Sequence, residues 1–196
     1  MYNLVRWAII LLLIGFSIWL KRKWFSNKKL FYPVCIIVAI ICLVQLNMPF
    51  ENYLYSFPSI EKVFKYYESS KDVIVLGTCI GEESGMLIYK DGDTYAKYIA
   101  PKTDDGWKIG NRNTYSIECE KNIDKYRTVV YKVSNSEDRY VRITASFVDD
   151  SAEITDRNGK RFESVKHGSH VSYYFYTNED FDYTVVIDGV VYSLKD

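Results

Sequence analysis

The sequence predicts an α+β membrane protein, in which an N-terminal hairpin of two transmembrane helices precedes a mostly antiparallel β domain with one short helix. Two long uncharged stretches fall within the first 48 residues, which contain six Lys and Arg and no Asp or Glu. Residues 49–196 carry 19 Lys and Arg against all 25 Asp and Glu, a formal charge of −6. They also contain many short strand-like segments separated by turn residues. The two regions are therefore expected to occupy different environments.

The two predicted spans cover about residues 2–20 and 30–48. Residues 7–20 are uncharged, and residues 2–5 extend the apolar run if Arg6 reaches the membrane surface with its guanidinium group. The resulting length of about 19 residues is near the roughly 20 that a helix needs to cross ~30 Å of hydrocarbon. The second stretch is uncharged and rich in Val and Ile. Both stretches are therefore predicted to cross the bilayer.

A basic loop between the spans, residues 21–29, predicts their orientation. Five of its nine residues are basic, namely Lys21, Arg22, Lys23, Lys28 and Lys29. Because cytoplasmic loops carry an excess of Lys and Arg, we expect this loop in the cytoplasm and both termini outside, in a cell-membrane protein with two spans. A cleaved signal peptide is the alternative, but no small-x-small cleavage site follows Leu20.

Residues 51–196 are predicted to form a mostly β extracytoplasmic domain. Its one short helix begins after Ser59, because apolar residues then recur at i, i+3, i+4 and i+7 from Ile60 to Tyr67. Twelve strands are predicted, at 73–79, 86–89, 94–99, 107–109, 114–118, 127–133, 140–148, 152–155, 161–165, 171–176, 183–187 and 190–194.

Turn residues predict how these strands are connected. Asp91-Gly92 and Asp188-Gly189 supply pairs that accept positive φ, as two-residue hairpin turns require. A break at residues 122–125 would separate two subdomains, 56–120 and 125–196, and a single domain is the alternative.

Three segments of the first half carry a resemblance to other proteins. Residues 58–66, 86–90 and 106–109 read Pro-Ser-Ile-Glu-Lys-Val-Phe-Lys-Tyr, Met-Leu-Ile-Tyr-Lys and Gly-Trp-Lys-Ile. In their hydrophobic positions they resemble a segment that recurs in small uncharacterised membrane-anchored or secreted proteins of Gram-positive bacteria. The resemblance implies an extracytoplasmic helix-plus-β fold in the cell envelope, and no particular activity.

Cys79 and Cys119 are the two cysteines of the predicted outer domain. In an oxidising compartment such a pair can form a disulfide, and two buried thiols are the alternative. Leu-Gly-Thr-Cys, ending at Cys79, also resembles the Leu-x-Thr-Cys signature of sortases, which are membrane-anchored transpeptidases. In that family the His precedes the Cys, whereas His167 and His170 follow Cys79 here. A hydrolase or transpeptidase that uses Cys79 is therefore kept as an alternative function.

An aromatic run within one predicted strand is a candidate interaction patch. It consists of Tyr173, Tyr174, Phe175 and Tyr176. Because successive strand residues point to opposite faces, Tyr174 and Tyr176 share one face and the other two share the opposite face. One pair is expected in the core and the other on an exposed patch, since interfaces are enriched in aromatic residues. Ordinary half-buried strand positions are the alternative.

The sequence predicts a non-catalytic binding or interaction module of the cell envelope, without cofactor or metal. His167 and His170 lie in a Gly-containing turn, unlike the helical His pairs of metalloproteases. The expected partners are the lipid bilayer and a protein or cell-wall component. The acidic composition of the domain disfavours nucleic acid. An accessory subunit of a membrane transporter or sensor is a further alternative, because Gly15, Ser17 and Ala39 would allow close approach of another helix.

Overall fold

The computed structural model describes residues 2–23, 28–47, 49–68, 72–146, 152–178 and 182–195. Its helices are α1 (Tyr2–Lys23), α2 (Lys28–Asn47), α3 (Glu51–Leu54) and α4 (Ile60–Tyr67). α1 and α2 contact each other. Leu4–Lys23 forms the only described helix long and apolar enough to cross a membrane, and the described apolar part of α2, Tyr32–Ile41, is shorter. An N-terminal helix of spanning length is thus present.

Twelve strands follow in the described part of the chain, each close to a predicted segment. They are β1 (Val73–Ile80), β2 (Ser84–Asp91), β3 (Thr94–Thr103), β4 (Gly106–Trp107), β5 (Tyr115–Ile123), β6 (Tyr126–Val133), β7 (Arg139–Ser146), β8 (Ile154–Asp156), β9 (Glu163–His167), β10 (His170–Thr177), β11 (Thr184–Ile187) and β12 (Val190–Ser193). All pairings between them are antiparallel. The α+β class with mostly antiparallel sheets is therefore confirmed.

The strands form three sheets. The first has four strands in the order β1-β2-β3-β4, the second has five in the order β5-β6-β7-β10-β9, and the third has three in the order β12-β11-β8. We call them the four-stranded, five-stranded and three-stranded sheets.

α4 begins where the sequence predicts, because Ser59 caps it. The Ser59 hydroxyl accepts a hydrogen bond from the backbone N–H of Lys62 at 3.3 Å. Ile60, Val63 and Phe64 are buried on one face of the helix, which packs on β2 and β3. α3 has no counterpart among the predicted elements, because four residues are too few to show a helical period.

The sheets stack as layers with hydrophobic cores between them. The first core lies between α4 and one face of the four-stranded sheet and includes Leu87 and Trp107. The second lies between the other face of that sheet and the five-stranded sheet, and it includes Ile88 and Tyr131. The third lies between the five-stranded and three-stranded sheets and includes Val141. The five-stranded sheet is therefore covered on both faces.

The division between the two halves lies earlier in the chain than the sequence predicts. β5 and β6 are joined by a tight hairpin, in which Asp124 adopts a φ of 49°. The predicted break at 122–125 is thus a turn within the five-stranded sheet, and the chain passes between the first two sheets through residues 108–114. The predicted boundaries 56–120 and 125–196 cut through one sheet, because a turn and a domain linker share the same local composition.

Candidate functional site

A groove opens beside the second core, between the four-stranded and five-stranded sheets. Its volume is about 660 Å³, and it shares Val129 and Tyr131 with that core. Its other lining residues include Tyr95 and Lys97 of β3, Lys125 of the β5–β6 turn, Arg127 of β6, Arg142 and Thr144 of β7, His167 of β9 and His170 of β10. We call this site the basic groove.

The lining of the basic groove is strongly cationic. It contains four Lys and Arg side chains and two His, and no Asp or Glu of the described chain lines it. Arg127 forms an ion pair with Glu120 at 2.8 Å, but this pair is exposed and Glu120 is not a lining residue. Among the described residues, neither Lys97 nor Arg142 has an ion pair with a carboxylate. The domain is acidic as a whole, so this concentration of positive charge is local.

Lys97 lies over aromatic rings rather than beside an acid. Its Nζ is 4.1 Å from the centroid of the Tyr131 ring and 4.9 Å from that of Tyr115. Burial, together with the smaller effect of the positive charges of Arg142 and Arg127, lowers the pKa of Lys97 to about 8. The ammonium group is therefore held at a position where a positive charge is costly.

Arg142 points its guanidinium group into the same groove. Its Nη2 lies 3.3 Å from the Ser172 hydroxyl, and it also hydrogen-bonds to Tyr131. Burial lowers the pKa of Arg142 from its usual value, and Arg127 contributes in the same direction. Its Nε is inaccessible to solvent and has no hydrogen-bond partner among the described residues. The site therefore retains donor capacity that the protein itself does not use.

The two histidines meet in the groove because β9 and β10 form a hairpin. His167 and His170 are paired directly opposite each other, and Gly168 takes the positive φ of 61° that the turn requires. The imidazole of His167 stacks on the Tyr95 ring at 3.8 Å, and its Nε2 lies 3.0 Å from the Ser172 hydroxyl. Burial lowers the pKa of His167 below 6.5. The predicted Gly-containing turn is thus a structured part of the groove wall.

Sequence reasoning did not find the groove, although part of its signal is visible. Arg142 and Thr144 alternate with apolar residues along β7, a pattern that by itself predicts a strand with one face in water. The pattern shows which face of the strand is polar. It does not show that the four-stranded sheet partly covers that face.

The predicted topology-determining residues lie at the ends of α1 and α2. Lys21, Arg22 and Lys23 occupy the last turn of α1 and are exposed. Lys28 and Lys29 begin α2, and their side chains lie outside the described part of the chain.

Cys79 and Cys119 of the β domain are not joined by a disulfide in the structure. Cys79 is buried in the second core, whereas Cys119 packs against the third core, where its thiol donates a hydrogen bond to the Leu194 carbonyl at 2.8 Å. The two side chains therefore lie on opposite sides of the five-stranded sheet. The predicted disulfide is therefore not formed in the structure, and of the two thiols that the alternative places in the interior, Cys79 is buried and Cys119 is partly exposed.

The predicted aromatic patch is not exposed. Tyr173 and Phe175 face the third core, while Tyr174 lies in the second core and Tyr176 packs against it. The predicted alternation of faces is confirmed, but both faces are covered because β10 lies inside the middle layer.

Comparison of the chain with protein-family models, with curated proteins and with solved structures gives no match. In the described part of the chain, the groove combines clustered cations with unused donors and has no lining carboxylate, a combination that is suited to holding an anion.

Proposed function

We propose that this protein is a membrane-anchored, non-catalytic binding module of the cell envelope, and that its extracytoplasmic β domain binds its ligand in the basic groove. The observation that carries this proposal is the groove itself, a cavity of about 660 Å³ whose lining, among the described residues, has several cations and no carboxylate. Cavities of this size with a few convergent polar groups are typical ligand sites.

α1 and α2 are the proposed anchor, with the loop 21–29 in the cytoplasm. Large apolar side chains are exposed along both helices, among them Leu11, Leu12 and Phe16 of α1 and Ile36 and Ile37 of α2. Such side chains suit a lipid environment, which makes the bilayer the first partner.

Contacts between α1 and the domain support this topology. The Tyr2 ring lies 6.2 Å from that of Tyr66 and 5.1 Å from that of Tyr67, both on α4. Arg6 and Glu51 form a buried ion pair at 4.0 Å, and the Tyr66 hydroxyl bonds to Glu51 at 3.3 Å. The first turns of α1 and the β domain are thus joined, which supports placing both on one side of the membrane, opposite the basic loop.

α3 supplies residues suited to the membrane surface. Tyr53, Leu54 and Tyr55 are exposed directly after α2. Lys108 fixes this segment, because its Nζ donates hydrogen bonds to the carbonyls of Asn52 and Tyr55 at 2.7 and 3.3 Å. Aromatic residues are enriched at the level of the lipid headgroups, so we place α3 there.

The buried state of Cys79 argues against the enzyme alternative. Burial raises the pKa of its thiol to about 12, with Glu163 adding to the increase. A nucleophilic cysteine needs a lowered pKa and access to substrate. A binding role is therefore better supported than a transpeptidase or hydrolase that uses this thiol.

A second candidate function is that of an accessory subunit for another membrane protein. Gly15 lies in a shallow concavity of α1 with Ala8 and Trp19, and apart from the adjacent backbone of α1 no described atom lies within 4 Å of where a β-carbon would be. Such a position would let a partner helix approach closely.

The topology is tested with single cysteines and a thiol reagent that cannot cross membranes. In intact cells, Asn158→Cys should be labelled before lysis and Arg22→Cys only after it, with the unaltered chain as the background control. The reverse pattern would place the domain in the cytoplasm and contradict the proposal.

The binding role is tested with a photocrosslinking residue in place of Thr144, in the groove, and in place of the exposed Arg157 as the matched control. An adduct with an envelope component is expected at position 144 and not at position 157. The same adducts at both positions, or none at position 144, would contradict a ligand site in the groove.

A further inference from the structure

We propose that the basic groove binds a phosphate group, carried by a phosphorylated small molecule or by a phosphodiester. This inference rests on the proposed function and names the chemical class of its ligand.

The first argument is the free-energy cost of holding the positive charges of Lys97, Arg127 and Arg142 close together. Lys97 lies close enough to Arg127 and Arg142 for their charges to act on it, and burial disfavours its charged form. Like charges that are partly removed from water destabilise the folded state unless a counter-charge joins them. No carboxylate of the described residues enters the groove to supply one. An anionic ligand would relieve this repulsion.

The second argument is the geometry of the donors. The guanidinium group of Arg142 is anchored to the Ser172 hydroxyl, so its orientation is set before a ligand arrives. Its Nε–H is buried and has no partner among the described residues. A planar guanidinium matches two oxygens of a phosphate, and a Lys ammonium adds a third donor from another direction. Lys97 approaches from β3, across the groove from Arg142 on β7.

The third argument distinguishes phosphate from a simple carboxylate. A carboxylate carries one charge in one plane, whereas a phosphate presents oxygens in several directions and, as a monoester, carries up to about two charges. The cations come from both sheets and from the β5–β6 turn. This distribution fits a group that accepts hydrogen bonds from several sides.

The fourth argument concerns the remainder of the ligand. Tyr95 and His167 stack at 3.8 Å and line one part of the groove. A volume of about 660 Å³ exceeds what a phosphate ion alone needs. The groove therefore has room for the alcohol or sugar that bears the phosphate.

The experiment uses the full chain in nanodiscs of phosphatidylcholine, whose phosphodiester is balanced by the choline charge so that the headgroup has no net charge, with glycerol phosphate as the probe. Calorimetric titration should show saturable binding for the wild type. Lys97→Gln and Arg142→Gln should each weaken it about tenfold or more, because each removes a charged hydrogen-bond donor. Arg157→Gln removes one positive charge outside the groove and should bind as the wild type does.

Competition titrations identify the kind of anion, and a change of nanodisc lipid identifies its source. Acetate at the same ionic strength should not compete with glycerol phosphate, whereas inorganic phosphate should. Nanodiscs that contain phosphatidylglycerol test the lipid source: if they reduce the binding of added glycerol phosphate in the wild type, a headgroup is the ligand. If they do not, the ligand is soluble or borne by a polymer.

Equal binding by the wild type and both groove variants, or equal competition by acetate, would overturn the phosphate inference. Crosslinking at position 144 is independent of this result. Retained crosslinking without phosphate binding would leave the binding module intact with a different ligand. Phosphate binding without envelope crosslinking would contradict only the proposed function.

Discussion

At the scale of single residues, the positive charge of Lys97 is expected to strengthen ligand binding and to lower the stability of the fold. Lys97→Met removes a partly buried charge beside Arg127 and Arg142 and keeps the apolar stem. It should raise the free energy of unfolding at pH 7 by on the order of 1 kcal/mol while weakening phosphate binding. Urea unfolding of the solubilised chain measures the change. Lys62→Met, on the exposed face of α4, is the control, and a loss of stability in Lys97→Met would contradict the prediction.

The same residue predicts part of the pH dependence of stability. The pKa of Lys97 falls from 10.5 to about 8 in the folded state, so the folded protein holds this proton less firmly than the unfolded chain. The contribution of Lys97 to stability is therefore present above pH 10.5 and is lost as the pH falls through 8. Between pH 8 and pH 10, the free energy of unfolding of the wild type should therefore rise more than that of Lys97→Met. Because the other titrating groups are the same in the wild type and in Lys97→Met, their contributions cancel when the two pH dependences are subtracted.

Asp138 has a structural role that a single atom exchange should reveal. It is 1% exposed, and its carboxylate accepts hydrogen bonds from the Ser84 hydroxyl, the Glu83 backbone N–H and the Tyr176 hydroxyl. Asp138→Asn replaces one accepting oxygen with a donor, so at least one of these groups loses its partner. We expect a loss of about 2–3 kcal/mol in the free energy of unfolding.

The matched control for this substitution is Asp124→Asn. Asp124 is exposed in the β5–β6 turn at a φ of 49°, a conformation that Asn also tolerates. The unfolding free energy of the Asp124→Asn variant should stay within about 0.5 kcal/mol of that of the wild type. Similar effects of both substitutions would show that the buried hydrogen bonds of Asp138 do not stabilise the fold.

At the scale of elements, the contact of α1 with the domain depends on Arg6 and Glu51. Their side chains are 4% and 10% exposed, so either single substitution leaves the other charge buried. Arg6→Met and Glu51→Gln should each lower the thermal unfolding temperature of the solubilised chain by several degrees. The double variant should be less destabilised than the two single losses added together.

Arg22→Met, at the exposed end of α1, is the control and should unfold as the wild type does. Strictly additive losses in the double variant would mean that the two side chains do not interact. The proposed side-by-side placement of the α1 N-terminus and the domain would then lose one of its supports.

At the scale of the whole molecule, the layers predict one cooperative unfolding transition for the β domain. The second core contains residues of both the four-stranded and the five-stranded sheets, so neither sheet can unfold without exposing apolar surface of the other. Far-UV circular dichroism and tyrosine fluorescence should therefore give the same urea midpoint. Two separate midpoints would show that the sheets are independent subdomains.

Several features were predictable from the sequence because they depend on near neighbours in the chain. The uncharged run of α1, the Ser59 cap of α4 and the alternation along β7 are local patterns with a direct structural meaning. The hairpin at Asp188-Gly189 is another, and these residues adopt φ values of 50° and 80°. The predicted break at 122–125 is instead a turn within the five-stranded sheet, because local composition does not report which strands pair.

The groove and the coverage of each sheet were decided by the tertiary structure. Lys97, Arg142 and His167 come from three strands of two sheets, and no spacing in the sequence relates them. The same holds for Cys79 and Cys119, which lie on opposite sides of the five-stranded sheet. Alternation tells which residues of a strand share a face, but the layer that covers that face is set by contacts between distant segments. For this chain, the sequence by itself determined the elements and their polarity, and the stacking of the layers determined which polar face lines the basic groove.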